Sequence, residues 1–211
     1  MFSRRQFALT GTAAAGTLVM ARPGLGQGVD GRLVFDVYRG GDRIGTHELR
    51  LRQDGDRIEA DIHIDLAVKF AFFTAYRYEH RNREVYEGDQ LVSMRSRTNN
   101  NGEQLKVDVT REGDELVVDG KAGTKRVAGD LIPTTYWQPR SVRRTSWIDS
   151  QNGRVVESDV TKIGSERIRY EGREVPADRF RLSGDLDCDL WYGPEGWAKL
   201  AFEVQGSRIS Y

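Results

Sequence analysis

From Arg32 to the C-terminus, apolar residues recur at every second position rather than at helical spacing. That period is the mark of strands with one buried and one wetted face. The longest run is Ile58, Ala60, Ile62, Ile64, Leu66 and Val68, interleaved with Glu59, Asp61, His63, Asp65, Ala67 and Lys69. The same pattern returns in Leu33–Phe35–Val37, Phe72–Tyr76–Tyr78, Leu105–Val107–Val109, Leu186–Cys188–Leu190–Tyr192 and Ala198–Leu200–Phe202–Val204. Turn residues separate the runs, among them Gly40-Gly41-Asp42, Asp54-Gly55-Asp56, Asn100-Asn101-Gly102 and Ser183-Gly184. Serial hairpins predict an antiparallel meander of about ten to twelve strands.

One stretch breaks the rhythm. Gly129 to Ser150 carries Pro133, Tyr136, Trp137, Pro139 and Trp147 without alternation. It predicts a long loop, or a short helix starting near Pro133 with Thr134 and Thr135 at its cap. No other segment of the chain after residue 26 offers an amphipathic helix, so the apolar face of the sheet has to be covered by the sheet itself. Two arrangements do this, a flattened sandwich filled by its two inner faces and a curled, partly open barrel. The strand Arg57 to Phe70 is long for a sandwich, and a barrel of more than about eight strands leaves interior space for a plug or a ligand. The expected fold is therefore all-β, an antiparallel meander curled into a partly open barrel, with the 129–150 segment as plug or lid.

The amino terminus changes the picture of where this fold operates. Ser3-Arg4-Arg5-Gln6-Phe7 precedes a weakly hydrophobic stretch to Ala21 and then Pro23, Gly24, Leu25 and Gly26. This resembles a bacterial twin-arginine translocation signal, which implies export by that translocase through Arg4 and Arg5 and a periplasmic location. Residues 1–26 are the expected signal, cut near Gly26 or alternatively at Ala21, and 27–211 a single domain. The whole chain balances 32 basic against 32 acidic residues, and without the signal 29 basic face 32 acidic ones. Neither balance gives the electrostatic footprint of a nucleic-acid binder. An outer-membrane barrel is disfavoured because Glu203, Gln205 and Ser207 spoil an apolar lipid face, so no stable membrane insertion is expected. Cys188 is the only cysteine. It makes no internal disulfide, and it reads as a small buried hydrophobe between Leu186 and Leu190.

Chemistry-bearing motifs are sparse. There is no nucleophile elbow, phosphate loop or dinucleotide fingerprint. His47, His63 and His80 lack metalloprotease spacing; His63 shares a face with acids, and His80 follows Tyr76 and Tyr78 on the more apolar face. Asp185, Asp187 and Asp189 read as a solvated row paired with Arg179 and Arg181 across the preceding turn rather than as a cation site. No metal and no cofactor are expected.

The set Phe35-Asp36-Val37-Tyr38, Arg43-Ile44-Gly45, Tyr76-Arg77-Tyr78 with His80, Asn101-Gly102, Tyr136-Trp137 and Leu190-Trp191-Tyr192 before Trp197 resembles an exported bacterial family of unknown function. That family is often made with twin-arginine signals. It is similar to periplasmic β-proteins with the open-barrel shape of the lipoprotein-localisation factors. The resemblance implies a lipid-accepting cavity at the level of the fold and no catalytic residue.

The expected function is non-enzymatic binding or carriage of an apolar or lipid-like molecule. Phe35, Ile62, Ile64, Phe72, Tyr78 and Phe202 are the candidates for the lumen, and Tyr136, Trp137, Trp147, Trp191 and Trp197 for its lid or mouth. The alternative is a periplasmic hydrolase whose polar cleft holds His80 or His47 beside a carboxylate.

Overall fold

The computed structural model of the chain describes residues 29–70, 73–170 and 172–211. The expected signal 1–26, with Arg4 and Arg5, and the lumen candidate Phe72 lie outside the described residues. Fourteen strands follow one another: β1 (Val29–Arg39), β2 (Asp42–Asp54), β3 (Arg57–Phe70), β4 (Phe73–Glu87), β5 (Gln90–Asn100), β6 (Glu103–Glu112), β7 (Glu115–Gly120), β8 (Gly123–Ala128), β9 (Ser146–Ile148), β10 (Val155–Tyr170), β11 (Arg173–Gly184), β12 (Cys188–Gly193), β13 (Gly196–Val204) and β14 (Ser207–Ser210). The count exceeds the expected ten to twelve because β9 and β14 span only three and four residues, too few for alternation to be legible.

All fourteen strands form one antiparallel sheet in the order β8-β7-β6-β5-β4-β3-β2-β1-β14-β13-β12-β11-β10-β9. The first and last strands meet in the middle, where Tyr38 pairs with Ser210 and Arg39 with Ile209. Hence the two free edges, β8 and β9, belong to the middle of the chain, and the segment between them runs from one edge to the other. This segment is the plug. Its residues Leu131, Ile132, Trp147 and Ile148 share one buried cluster with Met94, Val107, Val109 and Val118 of β5–β7 and with Leu182, Leu190 and Leu200 of β11–β13. An apolar sheet face without helices is thus covered by its own curvature and by one inserted loop.

Among the described residues the only helical turn is a 3-10 helix at Pro139–Arg143, not one starting at Pro133. Pro133 lies extended in a bridge to Ile148, and Thr134 N donates to the Ile148 carbonyl at 3.0 Å. Pro139, at the first helical positions, loses nothing by lacking an N–H there. The helix sits against the β4–β5 turn, where Arg140 donates to the Asp89 carbonyl and its guanidinium lies 5.3 Å from the Tyr86 ring centroid. Beside it lies an open groove of about 420 Å³ lined by Leu33, Leu49, Leu51, Ile58, Trp137 and Trp197.

The two free edges come together at one point. Lys121 N donates to the Asn152 carbonyl at 3.0 Å, and a Cβ at Gly120 would lie 2.5 Å from that oxygen and 3.0 Å from Gly153 Cα. Gly153 itself has φ +81°. The backbones approach this closely only because both residues are glycine. Replacing Gly120 by Ala is expected to push the edges apart and cost about 1–3 kcal/mol in urea unfolding; a loss below ~0.5 kcal/mol would show that this contact does not hold the edges.

Candidate functional site

The inward side of β4 departs from the rest of the sheet. Tyr78, His80, Asn82, Glu84 and Tyr86 alternate along it toward the interior, opposite Thr98, Ser96 and Met94 of β5. Of these, His80, Asn82, Glu84, Ser96 and Thr98 are all buried, as is His47 on β2. The strand pairing carries the row across the sheet: His80 faces Ile64, Ile64 faces His47, and His47 faces Phe35.

Glu84 lies at the closed end of the row and is fully buried. It accepts from Asn82 Nδ2 at 2.9 Å, Tyr86 OH at 3.0 Å and Trp137 Nε1 at 3.0 Å, with Thr135 as a further donor. Burial outweighs these donors and raises its pKa above the ordinary 4.5. Thr135 and Trp137 reach the same carboxylate because Tyr136 between them takes a left-handed φ of +59°, a strained state for a bulky residue. Tyr192 OH holds the turn by donating to the Tyr136 carbonyl at 2.6 Å.

At the other end of the row the interior is hollow. A recess of about 140 Å³ is lined by His47, His80, Tyr78, Tyr136, Asp149 and Tyr211. It adjoins a mouth of about 730 Å³ walled by Ile44, Leu66, Val68, Phe202 and Ile209, with Arg39, Asn100 and Gln205 also lining it. Ile64, Tyr78, Gln151 and Tyr211 line both spaces. Tyr78 OH donates to Gln151 Oε1 at 3.1 Å. His80 Nδ1 is 2.7 Å from Thr98 Oγ1. His47 sits among Phe35, Trp197 and Tyr211, with ring centroids 6.2, 5.2 and 5.3 Å away, and among the described residues neither of its nitrogens has a hydrogen-bond partner. Burial, with a smaller contribution from His80, pushes His47 down to about 3, and burial pushes His80 down to about 4. Both imidazoles are neutral near pH 7.

The residues expected at the lumen and its lid scatter across this geometry. Ile62, Ile64 and Tyr78 line the recess, Phe202 lines the mouth, and Phe35 packs behind His47. Tyr136 reaches the recess, and Trp197 packs tilted against Phe35 and edge-on against His47. Trp137 anchors the plug on Glu84, and Trp147 is sealed in the core. Trp191 is not at the mouth. Leu190 and Tyr192 point into the main core, so alternation turns Trp191 to the outer face, where it packs with Ile168, Ala177, Ala198 and Ala201.

Sequence reasoning missed Asn82, Glu84, Thr98, Thr135 and Asp149. Asn82 and Glu84 continue the parity of Tyr78 and His80, and Thr98 faces that row, whereas Thr135 and Asp149 lie in the irregular segment and carry no such signal. Among the described residues no carboxylate hydrogen-bonds to a histidine, which leaves the hydrolase reading without its acid–base pair. The aspartate row is taken up by arginines: Asp185 lies 3.8 Å from Arg154, Asp187 pairs with Arg181, and Asp189 with Arg179 at 3.1 Å. Burial raises the Cys188 thiol to about 12, far from a reactive thiolate.

A model of a domain of unknown function, DUF6134, matches residues 35–211, and the chain belongs to that family. No curated protein matches it. The fold is similar to a solved structure from Brucella abortus, described as a beta-barrel-like protein of domain of unknown function DUF1849. The TM-score is 0.58 at 12% identity, covering 85% of this chain and 93% of that one.

Glu84 supplies a pH test. An acid whose folded pKa lies above 4.5 contributes its stability below that pH, and the contribution is lost as pH rises through the folded value. Thermal melts from pH 4.5 to 8 are therefore expected to fall for the parent relative to Glu84→Gln; parallel curves would contradict the burial effect. Glu84→Gln itself is expected to be mild, because Asn82 Oδ1 is unpartnered and an amide flip lets it accept from the new Nε2. Glu84→Leu, which strands the donors of Asn82 and Trp137, is expected to cost about 3 kcal/mol.

Proposed function

We propose that this DUF6134 domain is a carrier that holds one amphipathic, mostly apolar molecule in its barrel, with the uncharged polar end at His47 and His80. The observation that carries the reading is the continuity of the space: a mostly apolar mouth leads past Ile64 and Tyr78 to a buried imidazole that has no hydrogen-bond partner among the described residues. A volume of about 730 Å³ suits a small-molecule site, and such sites combine apolar walls with a few convergent polar groups. A buried polar group without a partner calls for a guest that supplies one. Because both imidazoles are neutral, a hydroxyl, ester or amide head suits them better than a charged one.

Uptake of a fluorescent long-chain alcohol tests it. Ile64 stands where the two spaces join, so Ile64→Trp is expected to weaken uptake about tenfold or more by filling the junction. His47→Phe is expected to weaken the alcohol by a similar factor while sparing a plain alkane probe. The same change should stabilise the empty protein by about 1–2 kcal/mol, because it removes the unpaired nitrogens. No uptake by the parent, or equal uptake by Ile64→Trp, would sink the proposal.

We further propose that the carrier works in the periplasm after twin-arginine export, on the strength of the Ser3-Arg4-Arg5-Gln6-Phe7 segment. Replacing Arg4 and Arg5 by Lys is expected to retain the protein in the cytoplasm on fractionation; unchanged periplasmic recovery would count against that route.

A further inference from the structure

The outer face of β3–β5, across the sheet wall from the lumen, carries a concentration of one charge. Arg81 stands directly opposite Arg97, and Arg83 directly opposite Arg95. Side chains so placed have Cβ atoms roughly 5 Å apart, and like charges there repel. With Arg50 they line a groove of about 420 Å³ whose acids are Glu48 and Asp61, and His63 lines it too. Five guanidiniums therefore face two carboxylates.

The neighbouring acids do not neutralise the group. Glu48 is held by Arg32 at 2.6 Å and Arg50 at 2.7 Å. Glu59 is shared by Arg57 at 3.2 Å and Arg83 at 2.7 Å, and Asp61 lies 3.9 Å from Arg83. Asp108 stands opposite Arg95 in register, yet its carboxylate pairs with Arg97 at 3.1 Å and Lys106 at 2.8 Å. Glu79 is bonded to Arg77 at 3.1 Å through Nε. Arg81 and Arg95 are exposed, and among the described residues neither makes a hydrogen bond or an ion pair. Arg81, which lies near Glu79 without bonding to it, and Arg95, diagonal to it, are flanked by two partly engaged guanidiniums, and together they offer planar forks of N–H donors to a tetrahedral oxyanion.

We infer that this groove binds a phosphate-bearing ligand, with Arg81 and Arg95 as its principal contacts and Arg83 and Arg97 as flanking donors. The groove is larger than a single phosphate needs, which fits a diphosphate or a phosphorylated headgroup. The site does not depend on the lumen reading, since it lies on the other face of the sheet.

The test titrates the full chain with pyrophosphate by calorimetry at low salt, and separately with phosphatidylglycerol vesicles against phosphatidylcholine ones by co-sedimentation. The double variant Arg81→Gln/Arg95→Gln removes the free forks and relieves the cross-strand repulsion, so its melting temperature should not fall. A control, Arg126→Gln/Arg167→Gln, removes the same charge from ion pairs with Glu112, Glu115 and Glu174 elsewhere on the surface. The inference expects binding of at least one probe, weakened about tenfold in the first variant and within about twofold in the control. Selective vesicle binding assigns a membrane headgroup, and pyrophosphate binding alone a soluble phosphorylated ligand. Failure of both probes to bind, or an equal loss in the control, overturns the site.

Discussion

The carboxylate of Glu84 is the constraint on which the arrangement of the interior rests. A strand that turns an acid toward the core cannot leave it bare, because removing an unpaired charge from water costs several kcal/mol. The sheet itself offers only Asn82 and Tyr86 on the same strand. The remaining donors come from the crossing segment, through Trp137 and Thr135. The requirement of one side chain thus sets where the plug lies along the barrel axis and obliges Tyr136 to adopt its left-handed turn. The 3-10 helix that follows is carried onto the β4–β5 turn, at the end of the barrel away from the mouth.

The crossing segment also takes up part of the free edges of the sheet. An unpaired edge presents a row of open N–H and C=O groups. Here the β9 edge is occupied by the plug's own backbone, since Ile148 N donates to the Ile132 carbonyl at 2.9 Å. At the β8 side the turn after Gly120 is fastened to Asn152. The chain closes its own gap with irregular backbone in place of a further ladder, so the fold is a cup whose wall is sheet and whose floor is loop.

Much of this architecture was legible because a period of two with no compensating helix leaves few ways to bury an apolar face. The Ile58–Val68 run announced β3 and its inward side, and Gly129–Ser150 announced the plug by its lack of rhythm. The polar row was harder to see. In a strand such as Tyr78–Tyr86, histidine, asparagine and glutamate ordinarily mark the wetted side, while Arg77, Glu79, Arg81 and Arg83, on the opposite parity, are equally polar. With both faces polar, alternation carries no contrast, and only the pairing of His80 with Ile64 and of Glu84 with Ala60 shows which face is inside. Trp191 failed for the complementary reason. Both faces of β12 are buried, so a large aromatic residue there carries no information about side.

The two faces of β4 state the electrical logic of the molecule. Inside, burial holds His47 and His80 neutral and raises the pKa of Glu84, and the donors around Glu84 come from neutral side chains. Outside, one residue away along the same strand, Arg81 and Arg83 are exposed to water. A sheet one residue thick separates the two regimes, because successive side chains leave it in opposite directions. Around the imidazoles the lining is mostly uncharged, with Asp149 at the recess and Arg39 at the mouth as its charged members. Alternation along β4 therefore sets neutral imidazole and buried carboxyl back to back with exposed guanidinium, each within one residue of the other.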